Sequence, residues 1–175
     1  MVFLKKRIPG ATEVLLERFV RRAGRATELS GTVNVLITND SEMRILNRRF
    51  CGKDAATDVL SFPAAPGLPG KLAGDLAISA DIAAASAKQF GHTTGEEIKV
   101  LILHGVLHLA GYDHEQDGGR MAEKEEHLRR ALKLPVTLIA RATTANTTIS
   151  RTTISKTTAA RSMKGKTAAK RGRKT

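Results

Sequence analysis

The chain has no tryptophan, a single cysteine, and only five Phe and one Tyr among its 175 residues. With aromatics at 3%, a sheet of aromatic side chains on which bases stack, as in the common RNA-recognition modules, is excluded. Cys51 alone cannot form a disulfide framework or a multi-cysteine zinc module, and one thiol suits a reducing, cytoplasmic setting. Long hydrophobic runs are missing too. The longest, 98–110, carries Lys99, His104 and His108 and is too short for a membrane span. The opening Met1–Arg7 puts its charges after a brief apolar stub, which is not the order of a secretory leader. No membrane association is expected.

What is present divides into two parts. Apolar residues make up 41%, enough for one core. The formal net charge is +12, but residues 141–175 hold ten Lys or Arg and no acid. Residues 1–140 keep 19 basic and 17 acidic residues, a net of only +2. The expected organisation is therefore a folded domain over 1–140 and a basic tail over 141–175. The tail is Thr, Ala, Lys and Arg with few large apolar groups, so it is expected to stay disordered. Its close, Lys170-Arg171-Gly172-Arg173-Lys174, would attract nucleic acid by counterion release.

Periodicity predicts a helix over 13–25, capped by Thr12, with Val14, Leu15, Phe19 and Val20 inward. A β-branched strand follows over 32–38. Asn39-Asp40-Ser41 leads into a helix over 41–50 that turns Met43, Leu46 and Phe50 inward. Strands are expected over 57–62 and 72–79, joined by a Pro- and Gly-rich loop over 63–71. A helix from Ser79 or Asp81 to Phe90 stops at Gly91. Thr94-Gly95-Glu96-Glu97 matches a capping box for a helix reaching about Ala110. That helix is apolar almost all round and so belongs in the core. A last helix spans about 118–133. The pattern predicts an α+β fold, a small mixed sheet with about five helices.

The chemistry concentrates in His104-Gly105-Val106-Leu107-His108-Leu109-Ala110-Gly111-Tyr112-Asp113-His114. His104 and His108 are one helical turn apart and project from one face. Gly111 permits a left-handed turn that brings His114 back towards them. Three imidazoles on a helix and its following loop suit one zinc ion per chain, with a fourth position open. Zinc is favoured over nickel or copper by availability. The spacing is that of metzincin proteases, whose general base directly follows the first histidine. Here that position is Gly105, so a peptidase of that type would lack its base.

This segment resembles the signature of the YbeY family of ribosomal RNA maturation factors. Thr57-Asp58-Val59-Leu60-Ser61-Phe62-Pro63, Leu46-Asn47 and Gly74-Asp75-Leu76-Ala77-Ile78 resemble further family motifs in the same order. Glu97 stands seven residues before His104, as the family's glutamate does. The likeness spans roughly 33–132. It implies a zinc-dependent, single-strand-specific endoribonuclease that processes the 3′ end of small-subunit ribosomal RNA and serves ribosome quality control. Its partners would be single-stranded RNA, ribosomal RNA and the small ribosomal subunit. His104, His108 and His114 would be the zinc ligands.

The chain departs from the family at Phe50-Cys51-Gly52-Lys53-Asp54, where Cys51 takes the place of an arginine suited to clamping phosphate. Arg49 and Lys53 are the nearby cations expected to bind substrate instead; Arg48 reads as helix-end charge. Cys51 itself reads as an inert small residue or a fourth zinc ligand. If the clamp is lost, the alternative is a zinc-stabilised ribosome-binding factor with little catalysis. The general base is open: Glu97 and Asp113 are candidates, Asp75 a further one, and Glu97 would alternatively orient a zinc ligand. Ser61 and Asp58 fall on opposite faces of their strand. His92 and His127 are expected on the surface.

Overall fold

A computed structural model describes residues 1–65, 72–113 and 117–135, together with the backbone of 152–153. The order is β1 (Val2–Leu4), α1 (Glu13–Ala26), β2 (Thr32–Thr38), α2 (Asp40–Cys51), β3 (Val59–Pro63), β4 (Leu72–Ser79), α3 (Ala80–Phe90), α4 (Thr94–Leu109), α5 (Arg120–Ala131) and the two-residue β5 (Thr152–Thr153). The fold is α+β, as expected. Four strands form a mixed sheet in the order β1-β2-β4-β3, and β5 continues it beside β3. β1, β2 and β4 run parallel; β3 is antiparallel to β4. Among the described residues no helix is long and apolar enough to cross a membrane. The remainder of the 141–175 tail, and positions 66–71 of the expected loop, lie outside the described residues.

The period of two in β2 sorts its side chains. Val33, Val35 and Ile37 are buried in the core that α1 and α4 share with the sheet. The opposite face is covered more thinly by α2, through a small cluster of Met43, Leu60 and Ala77. α4 is the central element, buried without interruption from Val100 to His108. Each large aliphatic side chain buried along it is worth roughly 1.5–3 kcal/mol.

Several local expectations need correction. The inward stripe of α1 is Leu16, Phe19, Val20 and Ala23, while Val14 and Leu15 face solvent. The stripe begins two residues later, at Leu16, while Glu13 in the first turn accepts from Leu4 N of the edge strand at 3.1 Å. Phe50 is 47% exposed, since α2 buries only Met43 and Asn47 and its last turn overhangs the sheet. β3 starts at Val59 rather than Thr57, because the Asp58 carboxylate caps its own following amide, Val59 N, at 2.9 Å. The capping box uses Thr93 and Glu96, one residue earlier than expected. Thr93 Oγ1 accepts from Glu96 N at 3.2 Å, and Glu96 Oε2 accepts from Thr93 N at 2.8 Å. That register turns Glu97 inward, where it is 2% exposed.

Candidate metal centre

His104 and His108 occupy the last turns of α4 and are 2% and 6% exposed. Their rings meet edge to face, with centroids 4.7 Å apart, and their Nε2 atoms are 3.0 Å apart. The other ring nitrogen of each is committed. His108 Nδ1 lies 3.0 Å from the backbone oxygen of Tyr112. A carbonyl only accepts, so this Nδ1 carries the proton. The contact exists because the chain reverses after α4: Gly111 N donates to His108 O at 3.0 Å, with Gly111 at φ 93°.

His104 Nδ1 lies 2.8 Å from Glu125 Oε2 on α5. A carboxylate also only accepts, so this Nδ1 carries a proton as well. The two Nε2 atoms therefore face the same space, 3.0 Å apart. With both rings neutral, their lone pairs form a two-nitrogen donor set for a cation. A tetrahedral zinc with Zn–N of about 2.0–2.1 Å separates two ligand nitrogens by roughly 3.3 Å. The donor set fits zinc with a shift of a few tenths of an ångström.

Glu125 is buried and is held on its other oxygen by Arg129 Nη2. The guanidinium supplies the counter-charge in a buried site where a lone carboxylate would be costly. Among the described residues, no group of three or more His, Cys, Asp or Glu is assembled; His114, the expected third ligand, lies outside them.

The matching family model, described as endoribonuclease YbeY, covers residues 4–133. The chain belongs to this family. It is 54% identical over 143 residues to the endoribonuclease YbeY of Koribacter versatilis, spanning 82% of this chain and 92% of the relative. The endoribonuclease YbeY of Solibacter usitatus is 54% identical over 127 residues, 72% of this chain and 83% of its own. The fold is similar to the solution structure of TM1509 from Thermotoga maritima, with TM-score 0.50 and 28% identity over 76% of this chain and 92% of that one.

In this YbeY-family chain, Gly105 is required for close packing. A Cβ there would lie 2.7 Å from Leu76 Cδ2 and 3.3 Å from Ser61 Oγ. The helix therefore rides directly on β4 and β3, and a glutamate here, as in a metzincin, would have to displace the Leu76 side chain. Ser61 faces α4, as the alternation of its strand allows. Asp58 lies ahead of β3, buried, with Thr57 Oγ1 and Val59 N as donors.

The carboxylate 2.8 Å from His104 Nδ1 is that of Glu125. Glu97 is 2% exposed and lies 2.7 Å from His92 Nε2. His92 is accordingly not a surface residue. Its side chain is 8% exposed, because the left-handed Gly91 cap folds it back onto the start of α4. His127 is exposed as expected. Asp113 is half-buried on the loop after Gly111, and its carbonyl accepts from Asp117 N at 3.1 Å. Asp75 is exposed and accepts from Asn34 Nδ2 at 2.9 Å.

At the end of α2, Cys51 is half-buried against the small cluster under that helix. Burial pushes its thiol above the ordinary value, so at neutral pH it is a protonated packing group. Arg44 grips Asp54 with two bonds of 2.8 Å, and this pairing holds the Asp54 carboxyl below its ordinary value. Arg48 approaches the same carboxylate at 4.0 Å. Arg49 and Lys53 are exposed and take part in no ion pair among the described residues; the Arg49 guanidinium sits 5.3 Å over the Phe50 ring.

Sequence reading missed Glu125 and Arg129. The signal was there: Met121, Glu125 and Leu128 follow helical spacing on the buried side of α5. A carboxylate on an apolar stripe implies a buried partner.

Proposed function

We propose that this chain is a zinc-dependent, single-strand-specific endoribonuclease acting in 3′-end maturation of small-subunit ribosomal RNA and in ribosome quality control, in the cytoplasm. The observation that carries the metal reading is the pair of converging Nε2 atoms whose Nδ1 atoms are both committed as donors. Family membership carries the ribonuclease reading, because the relatives are named as endoribonucleases.

In this reading His104, His108 and His114 hold one zinc ion. Bound zinc supplies Lewis acidity at the phosphodiester and lowers the pKa of water at neutral pH. The chain's own residues do the rest. Glu125, backed by Arg129, and the Tyr112 carbonyl fix both histidine tautomers and ring orientations. Gly105 lets the histidine helix seat on the sheet without displacing either ring. Arg49 and Lys53, not bound by carboxylates among the described residues, are the cations available to RNA phosphates in place of the family's arginine. The basic tail adds attraction to RNA by counterion release. The alternative, a ribosome-binding factor without catalysis, gains no support from relatives that are named as enzymes.

The test is cleavage of single-stranded RNA by the purified chain, with and without chelator and zinc add-back, beside His104→Ala and Cys51→Arg. Chelator-sensitive cleavage lost in His104→Ala is the expected result. Cleavage that survives both chelation and His104→Ala would overturn the zinc reading. Activity confined to Cys51→Arg would mean that Arg49 and Lys53 do not replace the missing clamp.

A further inference from the structure

Of the six aromatics only Phe19 is buried, and Phe50, at the end of α2, is 47% exposed. It does not stand alone. Its ring meets Phe62 of β3 edge to face, with centroids 5.2 Å apart at 74°, and Phe62 is itself only half-buried. The Arg49 guanidinium lies over the Phe50 ring at 5.3 Å. Gly52, in the left-handed conformation, ends α2 immediately beyond, so no further turn of helix shields the ring. Two aromatic rings and one guanidinium are thus gathered on one exposed corner, with Lys53 exposed just beyond Gly52.

That corner is tied to the histidine helix through a single strand. Ser61, the neighbour of Phe62, points to the other side of β3 and approaches Gly105, between His104 and His108. Phe62 also marks the strand's end nearest the histidines: a Cβ on Gly74 would lie 2.5 Å from Phe62 O and 2.7 Å from Leu109 Cδ2, and Leu109 follows His108. An extended polyanion leaving the histidine end of α4 would pass over the end of β3 to reach Phe50.

We propose that Phe50, supported edge-on by Phe62, is a stacking subsite for one unpaired nucleobase of the RNA, with Arg49 and Lys53 taking the adjoining phosphates. This rests on the ribonuclease reading and adds to it a basis for preferring single strands. A base stacks on an exposed ring only when it is not already stacked within a duplex. The charge supports RNA as the occupant over an apolar protein surface: Arg49 lies over the ring, Lys53 follows three residues on, and among the described residues neither is paired to a carboxylate.

The experiment measures binding and cleavage by the zinc-loaded full chain. It uses a short single-stranded RNA and the same RNA with abasic positions, on wild type, Phe50→Leu, Phe50→Tyr and His104→Ala. Loss of one stacked base weakens binding by about tenfold. Phe50→Leu is expected to lose about that factor on intact RNA, seen in KM more than kcat, and to lose little on abasic RNA. Phe50→Tyr is expected to restore wild-type affinity. Equal losses on intact and abasic RNA, or intact affinity in Phe50→Leu, would overturn the stacking subsite while leaving the ribonuclease reading in place. Cleavage that survives in His104→Ala would strike at that reading instead. Failure of the wild type to bind RNA at all would remove both.

Discussion

Glu125 on α5 holds His104 of α4 across twenty-one residues of sequence, with 2.8 Å between carboxylate oxygen and Nδ1. The same carboxylate accepts from Arg129 one turn further along α5. One buried acid thereby sets a histidine's tautomer, fixes its ring and joins two helices.

Removing that acid has two measurable effects. Glu125→Ala leaves His104 Nδ1 without its carboxylate and Arg129 without its counter-charge. Breaking a buried pair from one side costs about 3–5 kcal/mol, and loss of such an orienting carboxylate lowers metal affinity about 10–100-fold. Urea melts and competitive zinc titration would check both. Glu125→Gln, which keeps an acceptor, is expected to lose less of each.

Gly74 is a packing requirement. A Cβ there would sit 2.5 Å from the Phe62 backbone oxygen as well as 2.7 Å from Leu109. Backbone cannot swing aside, so Gly74→Ala is expected to destabilise by about 1–3 kcal/mol, read as a lowered urea midpoint. It is also expected to weaken zinc binding, because Leu109 adjoins His108. An unchanged midpoint would mean that the strand and helix ends separate easily.

Stability should fall on the acid side through three carboxylates away from the histidines. Glu42 is held below its usual 4.5 by its bond to Lys5, then by Thr38. Asp81 is held below 3.8 by Lys6, then by the Asp40 amide. Glu96 is held below 4.5 by the Thr93 amide and hydroxyl of the capping box. In each case the folded chain binds fewer protons than the unfolded chain. The stabilisation is therefore whole above the unfolded values and fades as pH falls through the lowered folded ones. Melts between pH 7 and pH 3 should show the loss, and Glu96→Gln should flatten part of it.

Cys51 should alkylate slowly. Its thiol is half-buried and raised in pKa, and the reactive species is the thiolate. Iodoacetamide at neutral pH should modify it more slowly than free cysteine. A faster rate would show that the end of α2 opens more readily than its packing indicates.

Much of the fold was legible in the residues. The strands at 32–38 and 72–79 and the stop at Gly91 follow from β-branching, hydrophobic alternation and glycine, all local properties of the chain. The histidine pair was legible for the same reason, since a four-residue spacing on a helix fixes a shared face. What failed were judgements of exposure. Phe50 and Val14 are apolar yet face solvent, because burial depends on where the sheet ends. His92 is polar yet buried, because the Gly91 turn returns it to Glu97.

Composition and local pattern were enough for the two-part charge distribution, the α+β order of elements and the histidines that converge within one helix. Tertiary structure alone decided which acid serves His104, why residue 105 has no side chain, and which aromatics meet on the surface. Those are contacts between elements distant along the chain. They are set by how α5 packs on α4, how α4 seats on the sheet, and how far α2 overhangs β3, and no local pattern encodes such distances.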